Sequence, residues 1–551
     1  MPSPLDRTVL GHYVGAITAA LPFIPRPQQF SATESGTTWH SPIAVLLGDD
    51  EQSGGVEYGH TNVVARFVDR WALALGFDVV WLEASEAADA SIVCRVSGQI
   101  EAGYRLTTSN NVVVISAADA EGCQWALTTL EQLLPSEIVD SDSEREYIEL
   151  TVPGVEIVDF PEFVWRGAHL DVARHFFDVG AVARFIDLLA LHKLNVLHLH
   201  LNDDQGWRLE IPGWPRLSTV GSRRSSSPLG HESHGVDDHL SHGGFYRASD
   251  IRSLVAYAAD RFVTIVPEID VPGHVQALLA AYPRFANDEQ QLDVATRWGV
   301  SDHVLNLQPA TFEFADELLR YVGELFPSPY LHIGGDECPT NEWRESPAAQ
   351  RQMVALGVTR VEEIQGRFTD RLSATVESLA LVDPGFGDEQ TRRAVAWDEV
   401  LEAGAPRNTI VMAWRHSSQA VRAAEAGHDV VMTPMQFTYF DWPQSDSPTE
   451  PVALMTPPWP TSLEKVYRFK VLPPGLDPSL AHRILGAQAQ HWSEYIATVE
   501  HLDYMAFPRL AAFSEVVWGT AEQFAQFRPR LAGHLDRLRV MGVHYRPLDP
   551  L

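Results

Sequence analysis

Cysteine is scarce in this chain. Only Cys94, Cys123 and Cys338 occur, far apart and without CxxC spacing. That excludes a zinc ribbon and leaves room for at most one disulfide, so a reducing compartment is expected. Positive charge is also short: 41 Lys and Arg stand against 73 Asp and Glu, for a net charge of −32. Nucleic acid and anionic membrane both require a basic footprint, so neither is expected as the main partner. The acidic excess suits solubility and a neutral or cationic ligand, and its ordinary meaning is a solvated surface. No apolar run approaches the ~18 residues needed to span a bilayer. The apolar stretch from Val14 to Ile24 lacks a clustered basic flank and is broken by Pro22 and Pro25. A cytoplasmic location is the resulting expectation.

What is present is enough for a large core. With 551 residues and a hydrophobic fraction of 45%, an α/β barrel with one accessory domain uses up the chain. Residues 1–158 read as a smaller α+β domain. Its candidate strands are Ile43–Leu47, Ala90–Val96, Asn111–Ser116 and Tyr147–Thr151, and its candidate helices Thr61–Leu75 and Asp119–Leu134. No motif there carries chemistry.

From Phe163 onward, short apolar strands alternate with helical segments. Eight strands are predicted: Trp165–Leu170, Val196–Leu201, Val263–Pro267, Tyr330–Ile333, Val395–Trp397, Ile410–Trp414, Val430–Thr433 and Ile484–Gln488. Helices are predicted between several of them, at Val182–His192, Ile251–Asp260, Pro309–Leu325 and Val361–Leu379. The pattern predicts a (β/α)₈ TIM barrel over residues 159–551, closed by a C-terminal helical segment from about Ala521. The Ser/His/Gly-rich insert 221–244 then becomes a βα loop on the active-site face. Its His231, His234, His239 and His242 form either a polar loop or, less in keeping with the absence of a Cys or carboxylate frame, a metal site.

In such a barrel the chemistry sits past the C-terminal ends of the strands. Strand one runs into Asp171 and Arg174, strand two into Asp203, and strand three into Glu268, Asp270 and His274. Strand four ends in Gly334-Gly335-Asp336-Glu337, and strand five in Trp397, Asp398 and Glu399. The last three lead to Trp414 and Arg415, to Tyr439, Asp441 and Trp442, and to Trp492 and Glu494. Tryptophans beside a few carboxylates and one Arg make a sugar pocket, because apolar sugar faces stack on indoles while hydroxyls bridge charged groups.

The adjacent pair Asp336 and Glu337 can be read as a helix N-cap with one carboxylate too many. It can also be read as chemistry. Ordinary glycosidases set two carboxylates on opposite sides of the scissile bond, about 5–5.5 Å or about 6.5–9.5 Å apart. Neighbours in sequence are poorly placed to do that. They suit two atoms of one sugar: one carboxyl protonates the leaving oxygen, and the other holds a neighbouring substituent whose own oxygen attacks the anomeric carbon.

Four ordered motifs carry a resemblance to a known family: Leu170–Phe177 (LDVARHFF), Leu199–Trp207 (LHLNDDQGW), Pro267–His274 (PEIDVPGH) and His332–Glu337 (HIGGDE). From about Trp165 to Trp518 the chain resembles the family 20 glycoside hydrolases, the β-N-acetylhexosaminidases. This family is an exception to the two-carboxylate rule. The resemblance implies a retaining exo-hydrolase that removes terminal β-linked GlcNAc or GalNAc from a glycan or chito-oligosaccharide, with no metal and no organic cofactor. It implies Glu337 as general acid/base, Asp336 as the group that orients the acetamido and stabilises an oxazolinium intermediate, and Tyr439 as a hydrogen-bond donor to the acetamido oxygen. It further implies Trp397, Trp414 and Trp492 as pocket walls, Arg174 and Glu494 on the 3- and 4-hydroxyls, and Asp441 on the 6-hydroxyl. Asp203 and His274 stand behind Glu337 and are expected to tune its proton affinity, upward for an acid working near neutrality. The chain departs from the family's wording at Leu305–Gln308. It departs again in the loop after strand seven, where the aromatic for the leaving-group sugar falls to Trp459, to Trp442 or to neither.

Two rival readings remain at this level. His198 and His200 share one face of a barrel strand, a spacing that can bind zinc in an amidohydrolase and that equally fits hydrogen-bonded core histidines. A catalytically silent sugar-binding protein is the other, although every expected catalytic position is filled.

Overall fold

The computed structural model describes residues 21–549 apart from 35, 50–58, 110, 140–146, 148, 289, 382–390 and 454–459. The chain divides into two compact units, residues 1–160 with 522–542, and residues 161–521 with 543–551.

The first unit is built on a seven-stranded mixed sheet. The candidate strands in its middle are observed at Ile43–Asp49, Ile92–Val96 and Val112–Ala117, and the helices at Gly59–Leu75 and Ala120–Gln132. Burial alternates along Val112–Ala117, with Val113, Ile115 and Ala117 inside, as a half-buried strand requires. The strand predicted at Tyr147–Thr151 is displaced to Leu150–Val152 and pairs with Thr37–Trp39 outside the main sheet. Cys94 and Cys123 are free thiols with their sulfurs 3.5 Å apart.

One domain assignment is corrected. The helix Phe524–Val540 belongs to the first unit and not to the barrel that precedes it in sequence. It buries Phe527, Leu531, Leu535 and Leu538 along one face. Arg530 donates to the carbonyl of Phe23 at 2.5 Å, and Arg537 donates to that of Leu134 at 2.8 Å. An amphipathic stripe shows that a helix is buried but not which core receives it.

The second unit is a closed barrel of eight parallel strands in sequential order. The strands span Trp165–Asp171, Val196–His200, Thr264–Glu268, Tyr330–His332, Arg393–Trp397, Ile410–Ala413, Val430–Met432 and Ile484–Ala489. All eight expected strands are present. Helices Val179–Leu191, Ala248–Ala259, Pro309–Leu325 and Ile364–Ser378 fill the first four crossovers. Among the described residues no helix is long and apolar enough to cross a membrane.

Strand register sets the floor of the site. His200 lies opposite Glu268, and Glu268 opposite His332, so strands two, three and four present these residues at one level. Side chains two apart share a face, which brings His198 to the barrel interior with His200.

Strand four is only three residues long, and the chain turns at once. Gly334 and Gly335 have φ of 65° and 93°, a region that glycine enters without penalty. At Gly334 space forbids a side chain as well: a Cβ would lie 1.7 Å from Asp270 Oδ1. Asp270 Oδ1 also accepts from the N–H of Gly335 at 3.0 Å, fastening the turn to strand three. Gly334→Ala combines a left-handed strain with a steric clash, and a loss of about 2–5 kcal/mol is expected. Denaturant unfolding checks it, and native-like stability would show that the turn relaxes freely.

Candidate active site

The strand ends bring the acidic pair to one point. Neither carboxylate caps a helix, since the next one, Asn341–Glu345, has Thr340 at its N-cap. Glu337 has a positive φ of 42°, and so does His274 at 50°. Non-glycine residues held there are strained, and such strain concentrates at functional sites. His274 Nε2 lies 3.7 Å from Asp336 Oδ2 and 3.6 Å from Glu337 Oε2. The two carboxyls therefore flank one locus and do not face each other across a gap. Their surroundings differ: the Asp336 side chain is 12% exposed and that of Glu337 43%.

Behind His274 stands Asp203, with Oδ1 3.3 Å from Nδ1 of the ring. Asp203 Oδ2 takes a charged contact of 2.6 Å from Arg174 and one of 3.1 Å from His200 Nε2. Burial alone would raise the Asp203 carboxyl, but Arg174, His274 and His200 together hold it well below its ordinary value. Burial likewise works against the charge on His274, and Asp203 and Asp204 overcome it, so His274 is protonated well above the usual imidazole range. Arg174 is also tied to Asp171 at 3.2 Å and to Gln205 Oε1 at 3.2 Å. Three of its five N–H bonds are thus engaged, and two remain for a ligand.

The sign at Glu337 corrects an expectation. His274 was expected to help raise the proton affinity of Glu337. Instead the protonated His274 ring, 3.6 Å from Glu337 Oε2, lowers it and outweighs burial. The raised group is Asp336, lifted well above the carboxylate range by burial and by Asp270. Desolvation and like charge both favour the neutral acid.

The walls are aromatic. Trp397, Tyr439, Trp442 and Trp492 belong to one buried cluster, with Trp414 packed against it. Trp397 and Trp492 meet at 5.9 Å and Tyr439 and Trp492 at 6.4 Å, while Trp414 stacks on Tyr439 at 6.2 Å. Trp442 is only 3% exposed and packs edge-on against Tyr439, so it serves this wall and not an outer platform for a leaving group. Trp459 lies outside the described residues. Arg174 sits 5.0 Å over the Trp492 ring. Asp441 is buried with Oδ1 unpaired, and burial and Glu494 push its carboxyl well up. Glu494 is raised by burial despite Arg174.

Three residues that the sequence places at strand ends were assigned no role there. Glu268 accepts from Trp397 Nε1 at 2.9 Å and from His200 Nδ1 at 2.5 Å, and lies 2.9 Å from His332 Nδ1 and 3.1 Å from His198 Nε2. Asp270, pushed up to about 7 by burial, fastens the glycine turn beside Asp336. Glu399 accepts from Trp414 Nε1 at 3.0 Å and is pushed up to about 8, by burial first and then by Asp336. The inward parity of His198, His200 and Glu268 along their strands was the signal available. By distance, His169, His198 and Glu268 could hold a metal, as could His200, Glu268 and Asp270. In the second group His200 already bridges Glu268 and Asp203; in the first, His198 Nδ1 meets Gln488 at 2.9 Å, while both ring nitrogens of His169 lack a hydrogen-bond partner.

Comparison with known proteins agrees with this geometry. Residues 163–521 match glycosyl hydrolase family 20, catalytic domain, and residues 20–160 match glycosyl hydrolase family 20, domain 2. The chain belongs to glycosyl hydrolase family 20. It is 38% identical over 452 residues to a beta-hexosaminidase of Porphyromonas gingivalis, covering 81% of this chain and 54% of that protein. The chain thus spans about half the length of that relative. A beta-hexosaminidase of Vibrio furnissii is 36% identical over 522 residues, covering 91% of this chain and 80% of that protein. Among solved structures, the family 20 exo beta-N-acetylglucosaminidase of Vibrio harveyi in complex with N-acetylglucosamine superposes with a TM-score of 0.82 at 31% identity, covering 97% of this chain and 79% of that one. A mutant Streptomyces plicatus beta-hexosaminidase in complex with the product GlcNAc gives 0.77 at 27% identity, covering 96% and 97%. The amidohydrolase and silent-lectin readings are not favoured by these likenesses.

Removing one partner from a buried, charge-paired carboxylate is costly. Glu268→Gln is therefore expected to lower stability by about 3–5 kcal/mol and to perturb tryptophan emission through Trp397. Denaturant titration followed by fluorescence measures both. A variant as stable as the native protein would mean that Glu268 carries no compensating charge.

Proposed function

We propose that this family 20 member is an exo-acting, retaining β-N-acetylhexosaminidase that removes terminal β-linked GlcNAc or GalNAc by substrate-assisted catalysis. The observation that carries the reading is the convergence of Asp336 and Glu337 on one nitrogen of His274 beneath a wall of tryptophans. Two carboxyls on one side of a sugar cannot act as an opposed acid and nucleophile. The acetamido oxygen supplies the nucleophile instead.

In this mechanism Glu337, the more exposed carboxyl, protonates the leaving oxygen. Asp336, the buried one, accepts from the acetamido N–H and balances the positive charge that spreads over the forming oxazolinium ring. The Tyr439 hydroxyl donates to the acetamido oxygen; burial holds it protonated far above its ordinary value, so it remains a donor. Trp397, Trp414 and Trp492 exclude water from the ring. Arg174 and Glu494 hold the 3- and 4-hydroxyls, and Asp441 the 6-hydroxyl.

The protein's own groups favour a proton on Asp336 and an anion at Glu337. Chemistry requires the reverse. A sugar that covers Glu337 removes its solvent and favours its neutral form, while the amide N–H it brings favours the Asp336 anion. His274 Nε2 stands between the two.

The test uses chromogenic β-GlcNAc, β-GalNAc and β-glucoside substrates. The two acetamido sugars are expected to be cleaved, and the glucoside about 10³-fold more slowly or worse, since it lacks the intramolecular nucleophile. Comparable cleavage of the glucoside would sink the mechanism.

A second expectation concerns pH. Lowering Glu337 means that the reactive acid form is fullest below its value and is lost as pH rises through it. His274→Gln removes the cation that lowers Glu337 and also favours the Asp336 anion. Both limbs of the kcat/KM profile therefore move to higher pH, with a fall in maximum rate of about 10²-fold. An unshifted bell would remove His274 from control of the pair.

A further inference from the structure

The insert 221–244 is not absorbed by the reaction itself, yet it is bolted to the residues that would hold the sugar. Its Arg224 is buried and donates to the carbonyl of Arg174 at 2.5 Å and to Ser227 Oγ at 2.9 Å. The same guanidinium lies 5.1 Å over the ring of Trp298, from the loop after strand three. His242 Nε2 accepts from the N–H of Phe176 at 3.0 Å, and its ring meets His175 edge-on at 5.1 Å. His175 in turn packs on Trp298 at 5.5 Å. On the other side, His231 stacks flat on Tyr495 at 5.4 Å with 6° between the planes. Glu232 locks this corner, accepting from the N–H of Trp298 at 3.1 Å.

Position gives these contacts their meaning. His175 follows Arg174 in the chain, and Tyr495 follows Glu494. The segments that present the guanidinium and the carboxylate are the segments against which the insert packs. Of its four histidines, His231 and His242 act as packing groups, His234 and His239 are exposed, and no candidate metal group among the described residues includes any of them.

We propose that the insert, through His231 stacked on Tyr495 beside Trp298, closes the sugar pocket beyond Arg174 and Glu494 and excludes sugars carrying a further glycosyl group at O3 or O4. The inference rests on the reading above that Arg174 and Glu494 hold those hydroxyls. It assigns exo action in this chain to particular side chains: a substituent at O3 or O4 would have to occupy the space of a stacked imidazole–phenol pair. A steric wall rejects a larger group more strongly than a pocket rejects a smaller one, because a closed pocket cannot be overfilled without moving its walls.

The experiment compares 4-nitrophenyl β-GlcNAc with the same glycoside bearing a β-galactosyl group at O4. Reading is by kcat/KM for the native protein, for His231→Ala and for the double variant His231→Ala/Tyr495→Ala. The native protein is expected to reject the galactosylated substrate. The double variant is expected to raise the galactosylated-to-plain ratio about tenfold or more, with kcat/KM on the plain substrate within about threefold of native. The single variant, which changes only a half-buried loop residue, is expected to shift the ratio in the same direction by less and tests the wall if the double variant does not fold. An unchanged ratio in a folded variant overturns the proposal, as does a native protein that accepts both substrates equally. A native protein inactive on both overturns the reading of the pocket instead, so the two failures are distinct.

Discussion

A buried carboxylate with no water around it must be neutral or fully matched by positive partners. Glu268 is matched: burial alone would raise it, but His332, His200 and His198 surround it and hold it well below its ordinary value. The consequences run upward through the barrel. His200, made cationic by Glu268, donates its other nitrogen to Asp203. Asp203, kept anionic by Arg174 and His200, holds His274 protonated. His274 then faces Asp336 and Glu337. Charge alternates at every step from the barrel floor to the acidic pair. On the side, Glu268 fixes the indole of Trp397. One side chain thus orients a pocket wall and begins the chain of charges that ends at the chemistry.

That alternation explains why two adjacent carboxyls behave differently. Asp336 is buried and lies beside Asp270, a second acid, so its anion is disfavoured. Glu337 is half in solvent and takes the benefit of His274. The difference is one of environment, not residue type, and it can be inverted by a ligand that reverses who is solvated. Measured pH limbs therefore belong to the Asp270–Asp336–Glu337 group as a whole. The strained backbone at His274 and Glu337 fits the same account, because Gly334 and Gly335 let strand four end abruptly and swing both carboxyls toward one imidazole.

Much of this was legible in the sequence, for identifiable reasons. The eight barrel strands are short apolar runs buried on both faces, which read clearly even without alternation. The site residues could be found because a barrel gathers strand ends. Tyr104–Ser109, by contrast, was missed: its buried face is Tyr104, Leu106 and Thr108, and two of those three carry hydroxyls. The C-terminal helix was detected but assigned to the wrong core, since its partners near Phe23 and Leu134 are some four hundred residues or more away. Glu268 stood in plain view inside PEIDVPGH. Its importance depends on strand register, which places His200 and His332 beside it, and register is set by pairing that no local pattern reports. The sign of the His274 effect on Glu337 was likewise out of reach. It depends on whether the imidazole is charged, which Asp203 and Asp204 decide from behind.

The acidic surface and the acidic pocket are separate matters. A net charge of −32 would make it hard to ionise further carboxyls if it acted at long range, but exposed charges are screened within about 10 Å at 0.1 M salt. Inside the barrel the relevant charges are few and close. Arg174 is held charged against burial by Asp203, Glu494 and Asp171. It is the cation that permits Asp203 to be an anion, and Asp203 in turn charges His274. The residue assigned to grip hydroxyls therefore also sets the protonation of the acid across the pocket. Arg174 also lowers the proton affinity of Glu337 directly, through its positive charge, so one guanidinium bears on the acid by two routes: through Asp203 and His274 from behind, and across the pocket itself.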